Sequence, residues 1–289
     1  FNKDLRWIDV INDLAFLIMD LRFRGAGAFA QRVLNTYLEY SGDFAGATLL
    51  IYYQVYRAMV RAKVNAIQTR QDSVSEVDRA IACDQCSAYL HLALALTQPE
   101  ISFLLITHGV SGSGKSRQTG HLLEQFPGAI RIRSDVERKR LFGLGPLDDS
   151  GSTLGGGLYT SDASARTYAR LYELADQLLG AGQPVLVDAT FMKRVHRQPF
   201  RELAGRHGVP FILLDCVADP DTLRARVAAR RARGDDAAEA DVAVLERQLQ
   251  FDESPTADEN PLKTEGDDDL ERVQSVIVAA TRAFSSNRR

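Results

Sequence analysis

Along roughly the first hundred residues, apolar side chains return every three or four positions, the period of a helix that buries one face. A first block runs through Trp7, Val10, Ile11, Leu14, Leu17, Ile18 and Leu21 until Arg24-Gly25-Ala26-Gly27 breaks it. A second spans 29–40 and closes at Ser41-Gly42-Asp43, which reads as a turn with a helix N-cap. A third extends from 44 to about 70, and a fourth from 75 to 96. No stretch alternates with period two, so an all-helical domain is predicted over 1–98. The pattern stops at Thr97-Gln98-Pro99-Glu100 and gives way to an apolar run at 101–107, suited to a buried strand. From there strand-like runs at 129–133, 184–187 and 210–217 alternate with helical periodicity, which predicts a second domain over 99–289 with a parallel sheet covered by helices on both faces. The glycine-rich stretch 143–157 and the break at Gly234-Asp235-Asp236 read as long loops of the kind used for lids or substrate segments.

Composition narrows the class without naming a function. With 45% hydrophobic and 25% charged residues in 289, the chain is ordinary globular protein, and low-complexity or disordered architectures are excluded. A formal charge of −3 offers no global attraction to nucleic acid or to an anionic membrane. Apolar runs such as 15–19 and 101–106 fall far short of the roughly 18 residues a bilayer span needs. Three cysteines cannot build a disulfide framework, so a reducing cytoplasm is the expected compartment. The chain begins at Phe1 in mid-pattern, the expectation for the C-terminal portion of a longer product.

The strongest chemical signal follows the 101–107 run. Gly109-Val110-Ser111-Gly112-Ser113-Gly114-Lys115-Ser116 matches GxxxxGKS, between a strand and an amphipathic segment carrying Leu122, Leu123 and Phe126. Gly109, Gly112 and Gly114 permit backbone conformations that aim successive N–H groups at a polyanion, and the following helix adds its positive end. Lys115 would reach the outer phosphates of ATP, and the Ser116 hydroxyl would ligate Mg²⁺. The fold expected is therefore a three-layer α/β/α P-loop NTPase with a parallel sheet, preceded by the helical domain.

Three further groups are candidates for the chemistry. Val185-Leu186-Val187-Asp188 is an apolar run ending in a carboxylate that could hold the magnesium, although an ordinary strand exit has the same form. Ser134 and Glu137 have the spacing of a capping box, which would put Asp135 in the first turn of a helix at the carboxyl edge of the sheet. Asp135 could there take the proton of an attacking hydroxyl, or merely complement the helix dipole. Arg133 and Arg138 flank it and could meet an anionic acceptor or solvent. Five arginines crowd 223–233; among them Arg226 and Arg230, four apart, share a helix face suited to phosphate oxygens and transition-state charge. An exposed, internally paired helix or a nucleic-acid patch is the competing reading of that cluster.

With these residues, 101–285 resembles the P-loop kinases of the adenylate kinase, gluconate kinase and polynucleotide kinase type. The resemblance rests on the phosphate loop, on Arg133-Ser134-Asp135-Val136-Glu137-Arg138-Lys139, on Val187-Asp188-Ala189-Thr190-Phe191, and on the stretch from Arg226 through Asp241 to Gln248. It implies that Asp135 orients or deprotonates the acceptor hydroxyl and that Arg226 and Arg230 are lid arginines on the nucleotide. The run from Leu5 to Leu17 resembles the late helical part of aminoglycoside phosphotransferase-like proteins, of the type fused to a P-loop kinase. That resemblance implies that Asp13 is a buried helix aspartate with a structural role. The HGD motif of that family is missing: His108-Gly109 and His207-Gly208 are each followed by valine, so no kinase activity is assigned to this part.

The remaining signals are bland. Cys83-Asp84-Gln85-Cys86 is a lone CxxC in a helical pattern, and His91, His121, His196 and His207 have no metal-binding spacing. The expected activity is ATP- and Mg²⁺-dependent transfer of the γ-phosphoryl group to a small-molecule hydroxyl. Its alternatives are a polynucleotide 5′-kinase, favoured by the arginine cluster and opposed by the acidic balance, and a non-transferring ATPase or nucleotide switch acting on the helical half. Nothing in the sequence fixes the acceptor or the oligomeric state.

Overall fold

The computed structural model describes residues 7–98, 102–151, 160–233, 236–266 and 269–286. The chain divides into two compact units: Phe1–Leu34 with Asp43–Glu100, and Asn35–Gly42 with Ile101–Arg289.

The first unit is helical: α1 (Val10–Phe23), the start of α2 (Gly27–Ser41), α3 (Phe44–Ala47), α4 (Leu50–Gln68) and α5 (Glu76–Thr97). Side-chain caps set several starts. Asp9 accepts from the Ile11 N–H, Asp43 from Gly46 and Ser75 from Asp78, each satisfying a donor the first turn leaves over. Met19, Ala58, Ala62, Tyr89 and Ala93 form a core, with Phe23 stacked on Tyr89 at 3.7 Å between centroids. Three expectations are corrected. Trp7 is not in the first helix but precedes it, exposed, because Asp9 caps the helix two residues later. The block predicted from 44 to 70 is two helices, since the Thr48 hydroxyl donates to the Ala45 carbonyl and closes the first after one turn. Asp13 is exposed, not buried: Ile11, Ala15 and Ile18 take the inner face, which leaves Asp13 outside and 3.4 Å from Arg57.

The second unit is a five-stranded, all-parallel sheet in the order β2-β3-β1-β4-β5. Its elements are β1 (Leu104–His108), α6 (Lys115–Gln125), β2 (Ile130–Arg133), α7 (Ser134–Leu141), α8 (Ser161–Gly180), β3 (Val185–Asp188), α9 (Arg194–His207), β4 (Phe211–Cys216), α10 (Pro220–Arg233), α11 (Val242–Phe251), β5 (Pro261–Thr264) and α12 (Leu270–Ser286). The central strands are buried on both faces, which is why they read as unbroken apolar runs rather than alternations. On one side Leu122 and Leu123 of α6, Phe126 just after it, and Val273 and Ile277 of α12 pack on Phe103, Leu105, Leu186 and Leu214. On the other, α8 and α9 lie against β1, β2, β3 and β4. At roughly 1.5–3 kcal/mol for each large apolar side chain removed from water, this packing is what holds the phosphate loop's two flanks in place. The sheet and its covering helices are the α/β P-loop NTPase fold that the sequence predicts.

β5 had no reading in the sequence. It is a short edge strand that opens on Pro261, and its one exposed position is Lys263, the chemistry that blunts an edge but hides the periodic signal. The capping box at Ser134 is also corrected. Arg133 stands at the N-cap, Ser134 is already helical, and no side-chain cap bond forms, because β2 runs straight into α7. Glu137 pairs instead with Arg140 and Arg170. The glycine-rich 155–157, the Gly234-Asp235 break, the 99–101 boundary and Leu5-Arg6 of the N-terminal resemblance lie outside the described residues.

Candidate functional site

At the carboxyl edge of β1 the chain turns through the phosphate loop into α6. Gly109, Gly112 and Gly114 have φ of +134°, +85° and +97°. Two of them have a second reason to lack a side chain. A Cβ at 109 would stand 2.5 Å from the Cys216 carbonyl oxygen, and one at 112 would stand 2.9 Å from that of Leu223. The loop is also tied down at its start, where the Gly109 N–H donates to the Thr190 carbonyl at 3.1 Å. Thr190 belongs to the turn that leaves β3, and that turn is itself held in a costly conformation. Phe191 has φ +44°; its N–H donates to the Tyr168 hydroxyl at 3.1 Å and its carbonyl accepts from Arg197 at 2.9 Å. The exit of β3 and the entry of the phosphate loop are thus hydrogen-bonded to each other.

Lys115 is buried, with Nζ donating to the Val110 carbonyl at 2.8 Å and lying 3.4 Å from the Ser113 hydroxyl. Burial lowers its pKa, against the fields of Asp188, Cys216 and Asp135, which favour the charge, while Arg230 adds to the lowering. Of the residues singled out in the sequence, Asp135, Asp188 and Arg230 therefore all act electrostatically on Lys115. Asp135 sits in the first turn of α7, 3.4 Å from Arg138. Asp188, 5% exposed, ends β3 opposite Arg133, and its Oδ2 has no hydrogen-bond partner. An orphaned buried carboxylate oxygen is a hard donor, so Asp188, with Ser116 on the first turn of α6, would suit a magnesium ion. Among the described residues no group of three or more His, Cys, Asp and Glu side chains could hold a metal by itself.

The arginines of α10 are largely engaged within the unit. Arg226 donates to the Gly112 carbonyl of the phosphate loop at 3.3 Å, and Arg230 donates to the Ala240 carbonyl at 3.0 Å. The Arg230 Nε is buried without a partner. Arg224 pairs with Glu246 and Asp221, and Arg231 lies 3.9 Å from Asp241. Arg133 is shared among Asp236 at 2.5 Å, Glu39 at 3.6 Å and Asp188 at 3.9 Å. Burial opposes its charge, but these three carboxylates outweigh burial and raise its pKa.

Several site residues escaped the sequence reading. His108, the last residue of β1, is buried with Nδ1 2.7 Å from Asp215 and Nε2 3.1 Å from Asp252. Burial works against its protonation, yet the hydrogen bonds and charges of the two carboxylates prevail and raise its pKa. The available clue was Asp215, a charge inside an otherwise apolar strand, which demands a buried partner. The neighbouring Cys216 thiol is pushed by burial up to about 12 and is inert. Gln248 Oε1 accepts from the Ser111 N–H at 2.7 Å, a link across 137 residues that no local pattern signals.

Residues 104–255 match the AAA domain family. Curated proteins of Mycobacterium tuberculosis (strain H37Rv) and Mycobacterium bovis, both uncharacterised, are 32% identical over 253 residues, 87% of this chain and 49% of theirs, so the chain spans about half the length of these relatives. Among solved structures, the APS kinase CysC of M. tuberculosis in complex with AMPPNP and APS is 23% identical over 62% of this chain and 97% of its own, with a TM-score of 0.44. A sugar kinase from Janibacter gives 18%, 63%, 98% and 0.47. Kti12 of Chaetomium thermophilum in complex with ADP-AlF3 gives 16%, 62%, 98% and 0.46.

Proposed function

Because this chain belongs to the AAA domain family, we propose that its second unit is an ATP- and Mg²⁺-dependent phosphotransferase that moves the γ-phosphoryl group to a hydroxyl of a small molecule. The observation that carries the proposal is the phosphate loop between β1 and α6, with Gly109, Gly112 and Gly114 at positive φ and the buried Lys115 folded onto the Val110 carbonyl. In this reading Lys115 anchors the donor, Asp188 is the metal carboxylate, Asp135 the base and Arg230 the transition-state cation. In the transfer, the acceptor oxygen bonds to the γ-phosphorus, the bridging P–O bond breaks, ADP leaves, and the hydroxyl proton passes to Asp135. Lys115 and the loop amides fix the donor, and Arg230 and Arg226 offset charge on the transferring group. Magnesium, held by Ser116 and Asp188, would supply charge neutralisation between the outer phosphates.

The arginine cluster that suggested a polynucleotide acceptor is mostly spent on internal carbonyls and carboxylates, which favours the small molecule. In the same reading the helical unit is the late part of an aminoglycoside phosphotransferase-like protein, and the location is cytoplasmic. The test is γ-phosphate transfer from ATP to pooled sugars, aminoglycosides, nucleosides and oligonucleotides, with product masses measured. A phosphorylated small molecule is expected. ATP consumption that no acceptor accelerates would replace the proposal with a nucleotide-switch ATPase, and a phosphorylated oligonucleotide would replace it with a polynucleotide kinase.

A further inference from the structure

One polar side chain of α11 enters the phosphate loop. Gln248 Oε1 accepts from the Ser111 N–H at 2.7 Å, and the preceding carbonyl, that of Val110, accepts from Lys115 Nζ at 2.8 Å. The carboxamide therefore stands at the same end of the loop as the lysine, the end that meets the outer phosphates.

Its mount is rigid. Leu245, one turn before Gln248, is fully buried with Val110, Leu223 and Val227. Asp252, four residues after it, bonds to His108, which Asp215 holds from β4. Both anchors, Val110 and His108, are residues at the start of the loop, so α11 and the loop keep a fixed relation. A carboxamide suits this place in a way a carboxylate would not. Its oxygen takes the Ser111 N–H, and its nitrogen brings two donors that a phosphate oxygen can accept, without adding negative charge beside a polyanion.

We propose that Gln248 contacts the γ-phosphate and makes the site prefer nucleoside triphosphate over diphosphate. The inference rests on the reading of the loop as an ATP cradle. In the full chain, affinities for AMPPNP and ADP are measured by calorimetry for the wild type, Gln248→Ala and Gln248→Glu, with thermal unfolding recorded for each. Loss of one hydrogen bond to a charged group predicts that Gln248→Ala weakens AMPPNP about tenfold and ADP less than about threefold. Gln248→Glu, nearly isosteric, should weaken AMPPNP further still while leaving the melting temperature near that of wild type. Equal losses for both nucleotides would make Gln248 a structural buttress and overturn the inference. So would tighter AMPPNP binding by Gln248→Ala, the sign of a side chain that merely fills the empty cradle. A wild-type chain that binds neither nucleotide overturns the cradle itself, an outcome distinct from an unchanged AMPPNP-to-ADP ratio in the variants.

Discussion

Arg133 and Asp188 are register partners across β2 and β3, and the Arg133 Nε stands 3.9 Å from the buried Asp188 Oδ2. The distance is too long for a hydrogen bond, so the guanidinium offsets the carboxylate's charge without using its lone pairs. Arg133 thus competes with a metal for the charge of Asp188 while leaving the oxygen free to ligate. Replacing Arg133 by Gln should lower the Mg²⁺ concentration for half-maximal ATP binding several-fold, by removing a repelling charge about 4 Å from the ligand. A rise in that concentration would show that Arg133 supports the metal instead.

Lys115→Ala should abolish phosphoryl transfer, by about 1,000-fold or more if the loss of a preorganised cation resembles that of other transition-state donors. The circular dichroism spectrum should be unchanged, because the side chain bonds only within its own loop and removing it relieves a buried charge. Turnover at the wild-type rate would reject the assignment of the loop.

The His108 link predicts a pH dependence of stability. Its pKa in the folded chain is raised above the ordinary 6.5, so the stabilisation it brings is complete below about pH 6.5 and fades as pH climbs through the raised value. The Cys216 thiol, near 12, stays neutral throughout this window and contributes nothing to it. Between pH 6.5 and 9 the melting temperature should fall by roughly 2–4 °C for each kcal/mol lost. His108→Asn should flatten that slope, and an identical slope in the variant would remove His108 as its cause.

The buried Arg197 makes a bidentate pair with the buried Glu259 at 2.7 and 2.8 Å and donates to the carbonyls of Phe191 and Glu253. Arg197→Ala leaves the buried Glu259 charge without its guanidinium and held only by Thr256, which should cost about 3 kcal/mol in denaturant unfolding. Because the same guanidinium holds the Phe191 turn behind the phosphate loop, nucleotide affinity of the folded protein should also weaken. Loss of stability with unchanged affinity would show that the turn keeps its shape without Arg197.

The phosphate loop was legible from sequence because Gly109 to Ser116 are contiguous, and local backbone freedom and a following helix suffice to form an anion cradle. Asp188 could be named for a similar reason, lying where an apolar run ends, and Asp135 from the spacing of Ser134 and Glu137, although that spacing marked the helix start without forming a capping box, because a strand runs directly into the helix. The links that complete the site are of another kind. His108 meets Asp215 and Asp252 across 107 and 144 residues, and Gln248 meets Ser111 across 137. Such pairs depend on which strands become neighbours and in what register, choices settled by how two apolar faces are buried at once, and no short stretch of chain carries that information.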